Sequence, residues 1–135
     1  MACMGVPFMG ALLTACETTR YVAGTMEPKG IAISSLEFSI TKDSVTSYRE
    51  YVIVRNDQLE YPICVYRFSE TSYSALLMKC THQGTELQAA GDHLHCPAHG
   101  SEFSSHGRVT LGPAEQDLRT FRVVAEQDRL LIELT

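Results

Sequence analysis

No stretch of this chain concentrates positive charge. Its eleven lysines and arginines are scattered and outnumbered by sixteen acidic residues, for a formal net charge of −5. A nucleic-acid binder needs a basic stripe to meet the phosphate backbone, so nucleic acid is excluded as a partner. Helical spacing is missing too: nowhere do apolar residues recur at intervals of three and four over the dozen positions a core helix requires. No internal repeat or low-complexity tract appears, which excludes a repeat architecture. After the first fifteen residues no apolar run approaches the length of a bilayer. The cysteines, at 3, 16, 64, 80 and 96, are odd in number and show no pairing ladder, which argues against a disulfide scaffold. Neither a catalytic triad, a carboxylate pair nor a nucleotide-binding glycine loop is visible, so independent catalysis is not expected.

What is present is short-period patterning. At 135 residues, 44% hydrophobic and 20% charged, the chain has the length and composition of one folded domain. From residue 30 onward it runs through GIAISSLEFSI, YREYVIVRN, EYPICVYRF, YSALLMKC, HLHC, LRTFRVV and RLLIEL. These runs are rich in Val, Ile, Tyr and Phe and are separated by turn residues such as Asn56-Asp57, Gly91-Asp92 and Gln127-Asp128. The class is all-β, and the short connections predict antiparallel hairpins, the last turning at residues 126–128. A loop with one short strand, Arg108 to Thr110, is expected before the last two strands.

The opening MACMGVPFMGALLTACETT is apolar for fifteen residues and then polar, as a cleaved export signal is. Leu13-Thr14-Ala15-Cys16 resembles the lipobox of bacterial lipoproteins, although no basic residue precedes it and the first positive side chain is Arg20. This predicts a signal peptide over 1–15, a polar tether over 16–29 broken by Gly24 and Pro28, and a folded domain over 30–135. Acylation of Cys16 would place the chain in the bacterial cell envelope, lipid-anchored at a membrane surface, since each buried methylene adds about 0.8 kcal/mol. Without it the protein would be cytoplasmic.

The densest chemistry lies in CTHQGTELQAAGDHLHCPAHGSEF, residues 80–103. Thiolate and imidazole in two close pairs point to a transition metal. Cys80 and His82 are two apart, so in extended backbone both would reach one side. Cys96 and His99 are three apart, which suits a tight loop with Pro97 setting its backbone and Gly100 allowing the exit. The intervening TELQAAGDHLH reads as a hairpin that brings the loops together. Two cofactors fit this donor set: a tetrahedral structural zinc, or a two-iron, two-sulfide cluster with thiolates on one iron and imidazoles on the other.

Cys80-Thr81-His82-Gln83-Gly84 and Cys96-Pro97-Ala98-His99-Gly100-Ser101 resemble the two cluster-binding boxes of Rieske proteins, C-x-H-x-G and C-x-x-H-G-S. Gly107-Arg108-Val109 and Gly112-Pro113-Ala114 are similar to the proline-bearing segment that follows the second box. The resemblance covers roughly residues 60 to 135 and favours iron–sulfur over zinc. It implies an antiparallel β-sandwich with a small cluster-binding subdomain of two loops, about 78–114, and one [2Fe-2S] cluster per chain. It further implies that Cys80 and Cys96 bind the inner iron and His82 and His99 the outer, and that Gly84 and Gly100 form the tight turns. Ser101 matches the serine whose hydroxyl bonds a bridging sulfide. Mixed ligation leaves the oxidised cluster neutral, and Rieske potentials accordingly lie at about −150 to +300 mV against about −400 mV for plant-type ferredoxins.

This sequence departs from the Rieske subunits of quinol-oxidising cytochrome complexes. Those carry a cysteine in each box, where Thr85 and Ala98 stand here, and a tyrosine in place of Phe103. With the disulfide and the phenol gone, a potential in the lower or middle part of the range is expected. Cys64 is read as a buried structural thiol, and His93, His95 and His106 as hairpin and loop histidines without a metal role. The expected activity is single-electron transfer by a membrane-anchored carrier between redox proteins or a quinol pool. The alternative is a small or ferredoxin-like subunit partnered with a catalytic subunit of the oxygenase, arsenite oxidase or nitrite reductase type.

Overall fold

The computed structural model describes residues 18–135; the signal-peptide reading of residues 1–15, and Cys16 with it, lie outside the described residues. In chain order the strands are β1 (Tyr21–Ala23), β2 (Thr25–Glu27), β3 (Gly30–Ser34), β4 (Ser39–Lys42), β5 (Val45–Tyr48), β6 (Tyr51–Arg55) and β7 (Ile63–Arg67). They continue with β8 (Tyr73–Leu77), β9 (Gln88–Ala90), β10 (His93–His95), β11 (Glu102–Ser104), β12 (Val109–Leu111), β13 (Thr120–Glu126) and β14 (Arg129–Glu133). Eight of them form one sheet in the order β1-β6-β7-β8-β13-β14-β3-β2, and β12-β11-β10-β9 form a second. The β4–β5 hairpin stands apart. Among the described residues, no helix is long and apolar enough to cross a membrane.

The near-continuous apolar runs of β6 and β7 have a simple cause: both faces of these strands are buried, as in any central strand covered on two sides. Alternation splits their side chains between two cores. Val52, Val54, Ile63 and Val65 share one core with Ile31, Ile33, Leu130 and Ile132, and Phe38 is fully buried among them. Those partners come from β3 and β14, at the other end of the sheet order, so the sheet folds back over itself into a sandwich. Ile53, Cys64, Tyr66 and Leu76 point the opposite way, into a second core with Met78, Leu87, Leu94 and Phe103. Cys80 and Cys96 belong to this second core. It is the floor on which the small sheet and its two loops rest.

Three expectations are corrected. The tether expected over 16–29 carries two strands: β1 pairs in parallel with β6, β2 pairs with β3, and Val22 is buried. The sheet therefore begins at Tyr21 rather than at residue 30, and β1 departs from all-antiparallel pairing. Polar flanks hid this short edge, which is fixed by tertiary contacts such as the Asn56 amide donating to the Gly24 carbonyl at 2.9 Å. Finally, the run GIAISSLEFSI is broken by a 3-10 turn, Ser35–Phe38, in which the Ser34 hydroxyl accepts the Leu36 N–H at 3.2 Å. Serine offers the backbone an alternative to the ladder, and the chain takes it.

Candidate metal centre

The two Cys-His pairs sit on loops with matched backbone bonding. In the first, between β8 and β9, Cys80 N–H donates to Thr85 O at 2.9 Å and Gly84 N–H donates to Cys80 O at 2.8 Å. In the second, between β10 and β11, Cys96 N–H donates to Ser101 O at 2.8 Å and Gly100 N–H to Cys96 O at 3.0 Å. Each loop thus closes on a glycine four residues after its cysteine, with φ of +76° at Gly84 and +82° at Gly100. A side chain would be strained at either φ. At Gly100 nothing lies within 4 Å of the place a Cβ would take, so backbone conformation rather than space demands the glycine. The extended path expected for Cys80-Thr81-His82 is replaced by a turn, because the Gly84 bond draws the backbone back on itself.

Sulfur lies inside and nitrogen outside. Cys80 and Cys96 are each 2% exposed, whereas His82 and His99 are exposed and set edge to face with ring centroids 5.2 Å apart. Burial pushes the Cys96 thiol up, yet the Ala98 and His99 N–H groups, with Cys80 and Thr85 beside them, outweigh it and hold the thiol below its ordinary value. The interior sulfur is thereby prepared to serve as a thiolate, the form that binds metal. The four donors are arranged as two pairs: among the described residues, no group of three or more His, Cys, Asp or Glu side chains surrounds a single point.

A third segment braces both loops. Ser101, fully buried, accepts the Ala114 N–H at 3.0 Å, which leaves its own proton free to be donated. Thr81 donates its hydroxyl to Gln116 O at 2.6 Å. The segment carrying Pro113 is therefore bonded to each box. Tyr61 was not foreseen: its hydroxyl donates to Gly84 O at 2.7 Å. No spacing marks it, since it arrives only through strand pairing that also brings Pro62 O to the Met78 N–H at 3.0 Å.

The remaining histidines lie on the β9–β10 hairpin and the loop after β11. His93 meets Asp92 at 3.0 Å on the exposed hairpin, His106 stacks on Phe68 at 4.5 Å, and His95 is paired in register with Glu102. Burial pushes the Cys64 thiol well above its ordinary value, offset only partly by Tyr66, as befits a structural thiol. Phe103 is fully buried in the core beneath the loops.

A β-sandwich that carries two matched turns, with buried thiols beneath exposed imidazoles, fits an iron–sulfur protein of the mixed thiolate–imidazole class. The Rieske [2Fe-2S] domain matches residues 39–122, and the chain belongs to that family. It is similar to the cytochrome b6-f complex iron-sulfur subunit 1 of Nostoc sp. PCC 7120, 34% identical over 55 residues, covering 39% of this chain and 31% of that subunit. The corresponding subunit of Chlorobaculum tepidum is 28% identical over 65 residues, covering 47% of this chain and 36% of the other. The matched segments thus span about a third of the length of those relatives. Among solved structures, the plasma membrane Rieske protein PetC3 of Synechocystis PCC 6803 superposes with a TM-score of 0.54 at 26% identity, covering 62% of this chain and 86% of that one. The Sphingomonas yanoikuyae B1 ferredoxin shares the fold, with a TM-score of 0.50 at 23% identity over 64% of this chain and 87% of that one. The chain is a Rieske domain that binds one [2Fe-2S] cluster, and the zinc alternative is set aside.

Proposed function

We propose that Cys80 and Cys96 hold the inner iron, His82 and His99 hold the outer iron, and Ser101 donates its free hydroxyl proton to a sulfide. The observation that carries this reading is the segregation of a buried thiol pair from an exposed imidazole pair. The cluster supplies a one-electron couple. The chain's own part is to exclude water from the sulfurs, to supply N–H donors at Cys96, and to present two imidazoles at the surface where a partner can approach. Alanine at Cys80 or Cys96 is expected to abolish the brown-red colour, whereas Gln83→Ala keeps it; a Cys96→Ala protein that retained full iron and acid-labile sulfide would overturn the assignment.

The wider reading is a membrane-associated carrier, lipid-anchored through Cys16, that moves single electrons between a quinol pool or reductase and another redox protein. The lipobox-like Leu13-Thr14-Ala15-Cys16 supports the anchor, and PetC3, named as a plasma membrane protein, supports a membrane setting. Labelled palmitate should enter the wild type and not Cys16→Ser; equal labelling of both would remove the anchor. The replacement of the loop cysteines by Thr85 and Ala98 favours the second reading, a small subunit beside a catalytic one, and co-purification with a large redox subunit would select it.

A further inference from the structure

A groove of about 470 Å³ opens beside the first loop, with Tyr61, Lys79, His82, Gln83, Gln116 and Arg119 among its walls. Its two permanent charges, Lys79 and Arg119, are both positive, and no carboxylate lines it, although the chain as a whole carries −5. Acidic neighbours are engaged or lie elsewhere: Glu86 pairs with Arg55 at 3.5 Å, and Glu115 borders a separate cleft beyond Thr81 and His82. Among the described residues, neither groove cation has a carboxylate within ion-pair distance. Each rests on an aromatic face: Lys79 Nζ lies 5.2 Å from the Tyr61 ring centroid, and the Arg119 guanidinium carbon 4.9 Å from that of Phe121, with one Arg119 N–H donating to Leu134 O at 3.4 Å. Such seating holds a long side chain in place while its charge stays available, which lowers the ordering cost of a later contact.

We propose that this groove docks an acidic redox protein, whose carboxylates meet Lys79 and Arg119 and so bring its redox centre against His82. The proposal rests on His82 as a ligand of the outer iron. Two fixed cations in an otherwise acidic molecule orient an approaching anionic surface toward one face, an effect that acts on the rate of encounter and fades with salt. Two cations without a carboxylate among the lining residues favour an anionic partner over an uncharged quinol, and a flat lipid surface would not fill a concave groove.

The probe is a reduced plant-type ferredoxin, an acidic one-electron donor whose potential lies below the Rieske range. One ferrous iron of the donor becomes ferric as one ferric iron of the oxidised cluster becomes ferrous. In stopped flow, the second-order rate for the wild type should fall as salt rises. Lys79→Gln/Arg119→Gln should lower it about tenfold at low salt, and each single substitution less, in line with typical steering effects. Lys42→Gln/Arg122→Gln changes net charge equally outside the groove and should leave the rate within about twofold. Reduction by the methyl viologen cation radical should not slow in any variant. A double variant with an intact visible spectrum and the wild-type ferredoxin rate would overturn the proposal, as would equal slowing by the control pair. Lost binding to phosphatidylglycerol vesicles at an unchanged ferredoxin rate would assign the cations to lipid and overturn it as well. A wild type without any reducible cluster would instead fail the ligand assignment.

Discussion

At the scale of single residues, the site is governed by how many donors face sulfur. Ser101 accepts from Ala114 N–H and retains one proton, while Phe103, fully buried beneath the loops, has none to give. Adding a donor should stabilise the reduced cluster, and removing one should do the reverse. Phe103→Tyr is therefore expected to raise the midpoint potential, and Ser101→Ala to lower it, each on the order of 60 mV, the one-electron equivalent of a tenfold change. Voltammetry on both variants checks this, together with the wild type, which should fall in the lower or middle part of the range of about −150 to +300 mV. A wild-type value near the top, or shifts of the opposite sign, would refute the donor argument. The four proposed metal donors stand out in the sequence because few residue types can bind iron and sulfide, and their spacing survives any fold. Tyr61 was not, because a hydroxyl reaching a carbonyl 23 residues away leaves no local pattern.

At the scale of elements, the two loops are copies of one turn held against a common brace. The glycine positions and the hairpin near Gly91 could be read directly, since positive φ and tight turns narrow the choice of residue. The strands β1 and β2 could not: each is three residues long, lies at an end of the sheet order, and gains its conformation from pairing rather than from propensity. The brace ties both loops through hydrogen bonds, Cys80 and Cys96 being free thiols. Tyr61→Phe and Thr81→Val each delete one hydrogen bond to a loop or brace carbonyl, and each should cost about 0.5–1.5 kcal/mol. Urea titration followed by the cluster's visible absorbance should show earlier bleaching in both, with an unchanged midpoint potential. A shifted potential at unaltered stability would mean that these hydroxyls act on sulfur instead.

At the scale of the whole molecule, the core beneath the site limits the alkaline range. Burial raises the Cys64 thiol, and burial followed by repulsion from Cys64 raises the Tyr66 phenol, so both stay protonated in the native state above their ordinary values. Stability from these groups is fully present below the unfolded thiol value of about 8.5 and declines as pH rises beyond it, because the unfolded chain then binds fewer protons than the folded one. Urea midpoints should fall from about pH 9 upward, and Cys64→Val should remove the thiol's share of that slope. A flat profile to about pH 11 would contradict this. The central claim, however, is electronic: a single two-iron cluster held by Cys80, Cys96, His82 and His99. Its most direct test is the electron paramagnetic resonance spectrum of the dithionite-reduced protein, resolved for nitrogen couplings. The account predicts an average g below the free-electron value and couplings from two imidazoles, one of which disappears in His99→Cys; a silent sample rich in zinc, or a reduced cluster without nitrogen coupling, would contradict it.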